Sequence, residues 1–310
     1  MKNKTTKPQY RIRNWSQYNA ALARRGSLTL WVDQAAIDQW LCSSPPTRRG
    51  RALKYADLAI QTCLLLREVF HLPLRQTQGL ARSLFHLLKV DLPAPNYSLL
   101  SRRARRLNVA LTSPSRKPIK HLVFDASGLK VFGEGEWKVR THGKDYRRRW
   151  RKLHIGLDAD SQQVVVALLT DATVVDPGTL PRQLERVAAP VERVYGDGAF
   201  DARACYRAIQ QRGARAVIPP RRGSRRWQDD YLKDRNRNRR GVEKHGLKGW
   251  KKRSGDHRRS LAETAFFRLK TIFSDRLRSR RDDTQTTEAM IRCMALNRMT
   301  GLGLPDSYRI

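Results

Sequence analysis

The chain has 310 residues, and its 63 lysines and arginines outnumber its 28 aspartates and glutamates, which gives a formal charge of +35. A charge excess of this size repels itself unless a polyanion offsets it, so the predicted partner is nucleic acid. The longest apolar run, residues 58–66, is too short to span a bilayer, and no membrane role is predicted.

The compartment follows from the N-terminus and the cysteines. The first 13 residues are basic but lack the apolar segment of a signal peptide. The four cysteines are far apart and form no CxxC pair, which is typical of reduced packing residues rather than of zinc ligands or disulfides. These features predict a cytoplasmic protein.

The first third of the chain is predicted to be mainly helical. Residues 1–13 are a basic arm, and residues 27–33 have a strand-like pattern. Apolar residues at helical spacing then predict three helices, over residues 55–70, 73–89 and 99–109. Pro73 stands at the start of the second helix, a position that proline tolerates.

The third helix is unusually rich in arginine, with Arg102, Arg103, Arg105 and Arg106. Arginines on the last helix of a helix-turn-helix-like group suit insertion into a DNA groove. The alternative is a small helical bundle with a solvated basic edge, although the overall charge favours DNA contact. Residues 1–117 are therefore predicted to be an N-terminal DNA-binding region, with its helix-turn-helix-like helices within residues 55–108.

After residue 117 the pattern changes to short strands. Strand-like segments occur at residues 121–132, 152–158, 164–170, 191–200 and 216–220, with a helix between the last two. Three strands followed by strand–helix–strand–helix is the order of a ribonuclease-H-like fold. We predict an α/β fold with a mixed five-stranded sheet and flanking helices over residues 118–304, and a tail over residues 305–310.

A basic segment, residues 219–256, separates the fifth strand from the next helix. It is poor in aliphatic residues and has Trp227, Tyr231 and Trp250 interspersed. This composition predicts an insertion that is disordered or ordered by DNA, rather than part of the core. A second basic run, residues 137–152, links the first two strands.

The segment over residues 257–278 is predicted to be one amphipathic helix. Glu263 lies on its polar side, between Arg259 and Lys270. Ser260 and Glu263 have the spacing of a capping box, which would give Glu263 only a structural role.

Two aspartates compete with that structural interpretation. Asp125 lies in the middle of the first apolar strand, where a carboxylate is unfavourable unless paired or metal-bound, and Asp197 lies between two glycines after the fourth strand. Together with Glu263 they predict a site for two Mg²⁺ ions, which prefer oxygen ligands. Two such ions can activate the attacking oxygen and stabilise the leaving oxygen of a phosphodiester displacement. A satisfied strand carboxylate and an ordinary turn residue are the structural alternatives for Asp125 and Asp197.

The chain resembles DDE-type transposases of bacterial insertion sequences, in the insertion-sequence-five family, over nearly its whole length. The supporting stretches include HLVFDASGLKVFGEGEWKVRTHG, YGDGAFD, IPPR and HRRSLAETAFFRLK. The last of these carries the family pattern of Tyr, two residues, Arg, three, Glu, six, Lys. Arg259, Glu263 and Lys270 match it in spacing, whereas Asp256 stands at the tyrosine position.

The resemblance implies specific roles for these residues. Asp125, Asp197 and Glu263 would be the catalytic, metal-binding triad, holding two Mg²⁺ ions for which Mn²⁺ can substitute. Arg259 and Lys270 would contact DNA.

The resemblance also implies a reaction. The protein would bind the terminal inverted repeats of its own element, cleave the ends with water, and join the freed 3′-hydroxyl to target DNA. It would act as a homodimer or larger complex and associate with the bacterial nucleoid. Two alternatives stay open: a ribonuclease-H-like nuclease that does not join DNA, and a catalytically decayed DNA-binding regulator.

Overall fold

The described residues of the N-terminal part form one short strand and six helices. The computed structural model describes residues 10–42, 53–111, 117–131 and 149–310. The elements of this part are β1 (Tyr10–Ile12), α1 (Trp15–Arg24), α2 (Leu28–Trp31), α3 (Gln34–Asp38), α4 (Asp57–Val69), α5 (Leu74–Leu87) and α6 (Tyr97–Arg103). The three predicted helices are confirmed as α4, α5 and α6, and the third ends earlier than predicted.

The strand-like interpretation of residues 27–33 is wrong, because α2 forms one helical turn there. A strand needs a neighbour to pair its backbone, whereas a helical turn pairs its own. The turn also buries Trp31 completely, and the Trp31 indole N–H donates to the Arg25 carbonyl at 3.0 Å.

The remaining elements begin at residue 119. The strands are β2 (Ile119–Val131), β3 (Trp150–Asp158), β4 (Gln163–Asp171), β5 (Val191–Tyr195), β6 (Arg215–Val217), β7 (Arg276–Leu277) and β8 (Ser307–Arg309). The helices are α7 (Leu180–Arg186), α8 (Arg203–Gln211), α9 (Lys233–Ser254), α10 (Ser260–Phe273) and α11 (Asp282–Leu302).

The central sheet has the order β4-β3-β2-β5-β6. Within this sheet β3 pairs antiparallel with both β2 and β4, while β5 and β6 extend the sheet parallel to β2. This is the predicted ribonuclease-H-like order, so the predicted fold class is confirmed. A sixth, very short strand that the sequence did not suggest, β7, pairs with the end of β2.

Alternation along the strands divides the core between the two sheet faces. On one face, Val123, Tyr195 and Val217 pack in a cluster with the apolar sides of α10 and α11. On the other face, Leu122 and Val194 pack in a cluster with α7 and α8. We call these the α10 face and the α7 face.

The basic segment over residues 219–256 was predicted to be disordered or ordered by DNA rather than part of the core. Most of it forms α9, which contributes buried residues, so the prediction that it lies outside the core is wrong. Arg235 of α9 is buried, donates to Asp201 at 2.7 Å, and places its guanidinium 3.5 Å from the ring centroid of Trp227. An arginine that is buried and paired in this way behaves as a core residue, which composition alone does not reveal.

A sharp turn divides α9 at Gly246, whose φ of 65° and ψ of 166° are not helical. The turn folds the second half of α9 back, so that a Cβ on Gly241 would lie 2.7 Å from the Trp250 side chain. Glycine is therefore required at both positions, by backbone conformation at the first and by close packing at the second.

Two described segments from opposite ends of the sequence pair with each other. Tyr10–Ile12, within the predicted basic arm, form β1, which pairs antiparallel with β8 in the predicted tail. The N-terminal helices also share the α10-face core, because α4 packs against α11. The division at residue 117 stays a prediction. Within the described part of the chain, no helix has the length and apolar character to cross a membrane.

Candidate active site

The two predicted aspartates lie next to each other across the parallel strand pair. Val123 of β2 is in register with Tyr195 of β5, an offset of 72 residues. Asp125 and Asp197 have the same offset, so both follow the last paired position on the α10 face. We call these two residues, where β5 ends, the acidic row.

Asp125 is half-buried, and the backbone N–H of Ala126 donates to its carboxylate at 2.8 Å. Burial raises the pKa of Asp125, and the charges of Asp197 and Glu263 raise it further, while Arg259 opposes them. The structure therefore brings the three predicted carboxylates within electrostatic range of each other.

Asp197 is held by the short turn that follows β5. Its carboxylate accepts the backbone N–H of Ala199 at 2.9 Å and caps a 3₁₀ turn, Gly198–Phe200. A Cβ on Gly196 would lie 2.8 Å from the Phe200 ring, so this glycine permits the ring to pack against the backbone. The turn presents one carboxylate oxygen to Ala199 and leaves the other available.

Glu263 projects from the first turn of α10. Ala262, Ala265, Phe266 and Leu269 bury the apolar side of this helix in the α10-face core, whereas Glu263 is exposed. The capping box does not form, because Ser260 is already helical and its hydroxyl donates to the His257 carbonyl at 2.8 Å. Glu263 has no hydrogen bond or ion pair with another described residue, so its carboxylate is available to a ligand.

The donor chemistry fits a hard divalent cation, since all three side chains offer carboxylate oxygens. Among the described residues, no three His, Cys, Asp or Glu side chains are close enough together to hold a metal ion. An ion at this site would therefore have to draw the exposed Glu263 side chain toward the acidic row.

The two predicted DNA-contacting cations lie at the edge of the same site. The Lys270 ammonium donates to the Ser127 hydroxyl at 2.6 Å, and Ser127 is two residues beyond Asp125 on β2. The guanidinium of Arg259 lies 3.8 Å from the carboxylate of Asp256. Sequence reasoning missed Ser127, although its spacing from Asp125 places it on the same face of the strand.

Asp256, at the family tyrosine position, is buried between two cations. Its carboxylate lies 3.8 Å from both Lys251 and Arg259, and 3% of the residue is exposed. Burial raises the pKa of Asp256, and the neighbouring cations oppose that shift. Asp256 therefore joins the end of α9 to the start of α10 rather than presenting a negative charge to the surface.

The four predicted N-terminal arginines differ in their surroundings. Arg103 donates to Asp57 and to the Tyr55 carbonyl, so it holds α6 against the start of α4. The other three, Arg102, Arg105 and Arg106, are exposed. Because α6 ends at Arg103, the last two lie in the turn beyond the helix.

Two family models match the chain, and both are described as a transposase DDE domain. One matches residues 23–134 and the other residues 116–298. The second match covers more than half of the chain, and together they span nearly all of it. The chain therefore belongs to the DDE transposase family, as its resemblance implied, while membership of the insertion-sequence-five group stays a prediction.

Similar solved structures are also transposases. The piggyBac transposase synaptic complex with hairpin DNA has a TM-score of 0.42 at 11% identity, covering 94% of this chain and 76% of that one. The Drosophila P element transposase strand transfer complex has a TM-score of 0.30 at 15% identity, covering 66% of this chain and 48% of that one. Both scores are low, so the fold assignment rests on the strand order and the family match.

Proposed function

We propose that this transposase binds the terminal inverted repeats of its own insertion sequence and catalyses cleavage and strand transfer there. The observation that carries the proposal is the acidic row with Glu263 within electrostatic range of it, inside the matched transposase DDE domain. The neighbouring cations of the chain do not neutralise these three carboxylates. The site therefore favours bound metal ions and a metal-dependent phosphodiester displacement.

Asp125, Asp197 and Glu263 would hold the two divalent ions, Mg²⁺ or Mn²⁺. The ions, when bound, would lower the pKa of the attacking water or 3′-hydroxyl and stabilise the leaving oxygen. The carboxylates supply the negative charge that retains the ions, and Ala126 and Ala199 fix the orientation of the two aspartates.

The cations around the site would position the DNA backbone. Arg259 presents a planar guanidinium suited to two phosphate oxygens, and Lys270 presents a point charge. The contact between Lys270 and Ser127 holds that charge beside the acidic row until a phosphate competes for it. The exposed arginines Arg102, Arg105 and Arg106 would contact DNA elsewhere, as part of an N-terminal DNA-binding region.

The proposed partners are duplex DNA and further copies of this chain. The charge of +35 favours a polyanion, and the two similar structures are complexes named for DNA synapsis or strand transfer. Because two ends must be paired before joining, a homodimer or larger complex at the nucleoid is the proposed working form.

The test is a cleavage and joining assay with duplexes that carry the element's own ends. We expect cleavage with Mg²⁺ or Mn²⁺, no cleavage with a chelator, and insertion of pre-cut ends into a target plasmid. Cleavage without insertion of pre-cut ends would identify a nuclease that does not join DNA. Binding without either reaction would identify a decayed DNA-binding regulator.

A further inference from the structure

Three basic residues lie side by side on the α10 face. Each lies two positions before the apolar residue of its strand, Val123, Tyr195 or Val217, that packs in the core. His121 of β2 is in register with Arg193 of β5, and Arg193 is in register with Arg215 of β6. Like charges directly opposite each other on neighbouring strands destabilise a sheet. Arg193 and Arg215 therefore place two like charges side by side on the sheet, an arrangement that an anion between them would stabilise.

No carboxylate of the described chain lies within ion-pair distance of these two arginines. Arg193 and Arg215 are both exposed, and neither forms an ion pair or a side-chain hydrogen bond with another described residue. By contrast, Arg237 of the same region pairs with Asp234 at 2.5 Å. The Asp234 carboxylate is therefore already engaged by Arg237 and by the backbone N–H of Ala216, and it does not pair with Arg193 or Arg215.

The two arginines line a cavity of about 190 Å³ between the sheet and α9. Arg253, His245 and the Asp234-paired Arg237 of α9 add further basic groups to its wall, which Trp250 also lines. Arg253 also forms no ion pair with another described residue. The turn at Gly246 creates this cavity, since it folds the second half of α9 back over the edge of the sheet.

The cavity lies on the same sheet face as the candidate active site. Arg193 precedes Asp197 by four residues of extended chain, which corresponds to about 13 Å. Successive base pairs of a duplex are 3.4 Å apart along the axis, so this distance spans roughly four base pairs. A DNA strand that reaches the acidic row can therefore place a second phosphate in the cavity.

We propose that the arginine cavity, formed by Arg193, Arg215 and Arg253, binds a backbone phosphate of the DNA a few nucleotides from the bond that is cleaved. This inference rests on the proposed function, because it assumes that DNA occupies the acidic row. The cavity binds phosphate without reading the base, since guanidinium groups recognise phosphate oxygens. Its role is to fix the register of the strand at the active site.

The test compares two double variants that remove the same charge. The cavity variant, Arg193→Ala/Arg215→Ala, removes two arginines that line the cavity. The α7 variant, Arg182→Ala/Arg186→Ala, removes two exposed arginines from α7, on the opposite sheet face. The affinity for an end duplex is measured by fluorescence anisotropy over a range of salt concentrations, without divalent metal. Each phosphate contact contributes about 0.9 to the slope of log K against log salt.

We expect the cavity variant to lose about 0.9 from that slope and the α7 variant to keep the wild-type slope. Methylphosphonate substitution, one position at a time, should then find a phosphate whose neutralisation weakens the wild type but not the cavity variant. The DNA-free cavity variant should melt at or above the wild-type temperature, because two repelling charges have been removed.

Equal slopes for the two double variants would overturn the inference, as would a lower melting temperature of the cavity variant alone. If inorganic phosphate stabilises the wild type while the cavity variant keeps the wild-type salt slope for DNA, the cavity is a site for free phosphate. That result would also overturn the inference. The proposed function fails separately, because it requires cleavage of the end duplex, whereas this test measures binding alone.

Discussion

Two groups of carboxylates on this protein have opposite surroundings. Glu68 of α4 and Glu288 of α11 are buried, and Arg292 contacts both, at 2.9 Å and 2.5 Å. Asp125 and Asp197 of the acidic row are half-buried, and the cations near them contact other partners. One group is neutralised by the chain itself, and the other is not.

The pKa values show the same contrast. Burial raises the pKa of Glu288, but Arg292 and Arg67 more than offset it, so the net shift is downward. Burial raises the pKa of Asp125 as well, and there the neighbouring carboxylates add to the upward shift. The comparison teaches that the buried pair stabilises the fold, whereas the acidic row is suited to an added cation.

The largest stability effect should come from removing the shared cation of the buried group. Arg292→Met removes the buried cation that contacts both Glu68 and Glu288 and leaves, among the described residues, only the more exposed Arg67 and Arg278 beside them. We expect a loss of about 3 kcal/mol in the free energy of unfolding. Chemical denaturation measures it. The control, Arg186→Met, replaces an exposed arginine at the end of α7 and should stay within about 0.5 kcal/mol of wild type. Equal stability of both variants would remove the distinction between the two groups.

A divalent cation should stabilise the wild type through the acidic row. At a concentration one hundred times its dissociation constant, Mg²⁺ or Mn²⁺ should add about 2.7 kcal/mol to the free energy of unfolding. Asp125→Asn/Asp197→Asn should lose this response, and without metal it should be no less stable than wild type, because the raised pKa of Asp125 marks a destabilised charge. Equal stabilisation of the double variant would place the ion elsewhere.

The loss of stability at acidic pH should depend on Glu288. Because its pKa in the folded protein lies below the ordinary value of 4.5, its contribution is complete above that value. The contribution is lost as the pH falls through the lower, folded-state pKa. We expect the free energy of unfolding to decline in this window, and Glu288→Gln to flatten the decline. The exposed variant Glu185→Gln is the control. If Glu288→Gln loses stability with falling pH as steeply as the wild type does, Glu288 does not cause the decline.

Much of the fold could be predicted because the strands carry their own periodicity. The apolar pattern of β2 to β6 predicted the ribonuclease-H-like order, and the spacing of apolar residues predicted long apolar helices such as α4. Three features could not be predicted from local pattern. The helix α9 is stabilised by the buried pair of Arg235 with Asp201, β1 pairs only with β8 at the far end of the chain, and α2 depends on the burial of Trp31.

Some features of the candidate site could likewise be predicted from the sequence, and others could not. The equal offset of Asp125 and Asp197 could be anticipated once the strand order was assumed. The sequence could not decide whether Glu263 caps its helix, because that depends on where the helix begins, and α10 begins at Ser260 itself. Nor could it show that Asp256 is buried between Lys251 and Arg259, since burial depends on how α9 folds back.

The most direct test of the acidic row is the cleavage rate of end duplexes by Asp125→Asn, Asp197→Asn and Glu263→Gln, with DNA binding measured in parallel. Loss of one metal ligand should remove about 4 kcal/mol of transition-state stabilisation, so we expect each variant to cleave roughly a thousandfold more slowly or worse. Each should still bind the duplex, and Glu185→Gln on α7 should cleave as the wild type does. Cleavage within about tenfold of wild type by any one of the three would exclude that residue from the active site.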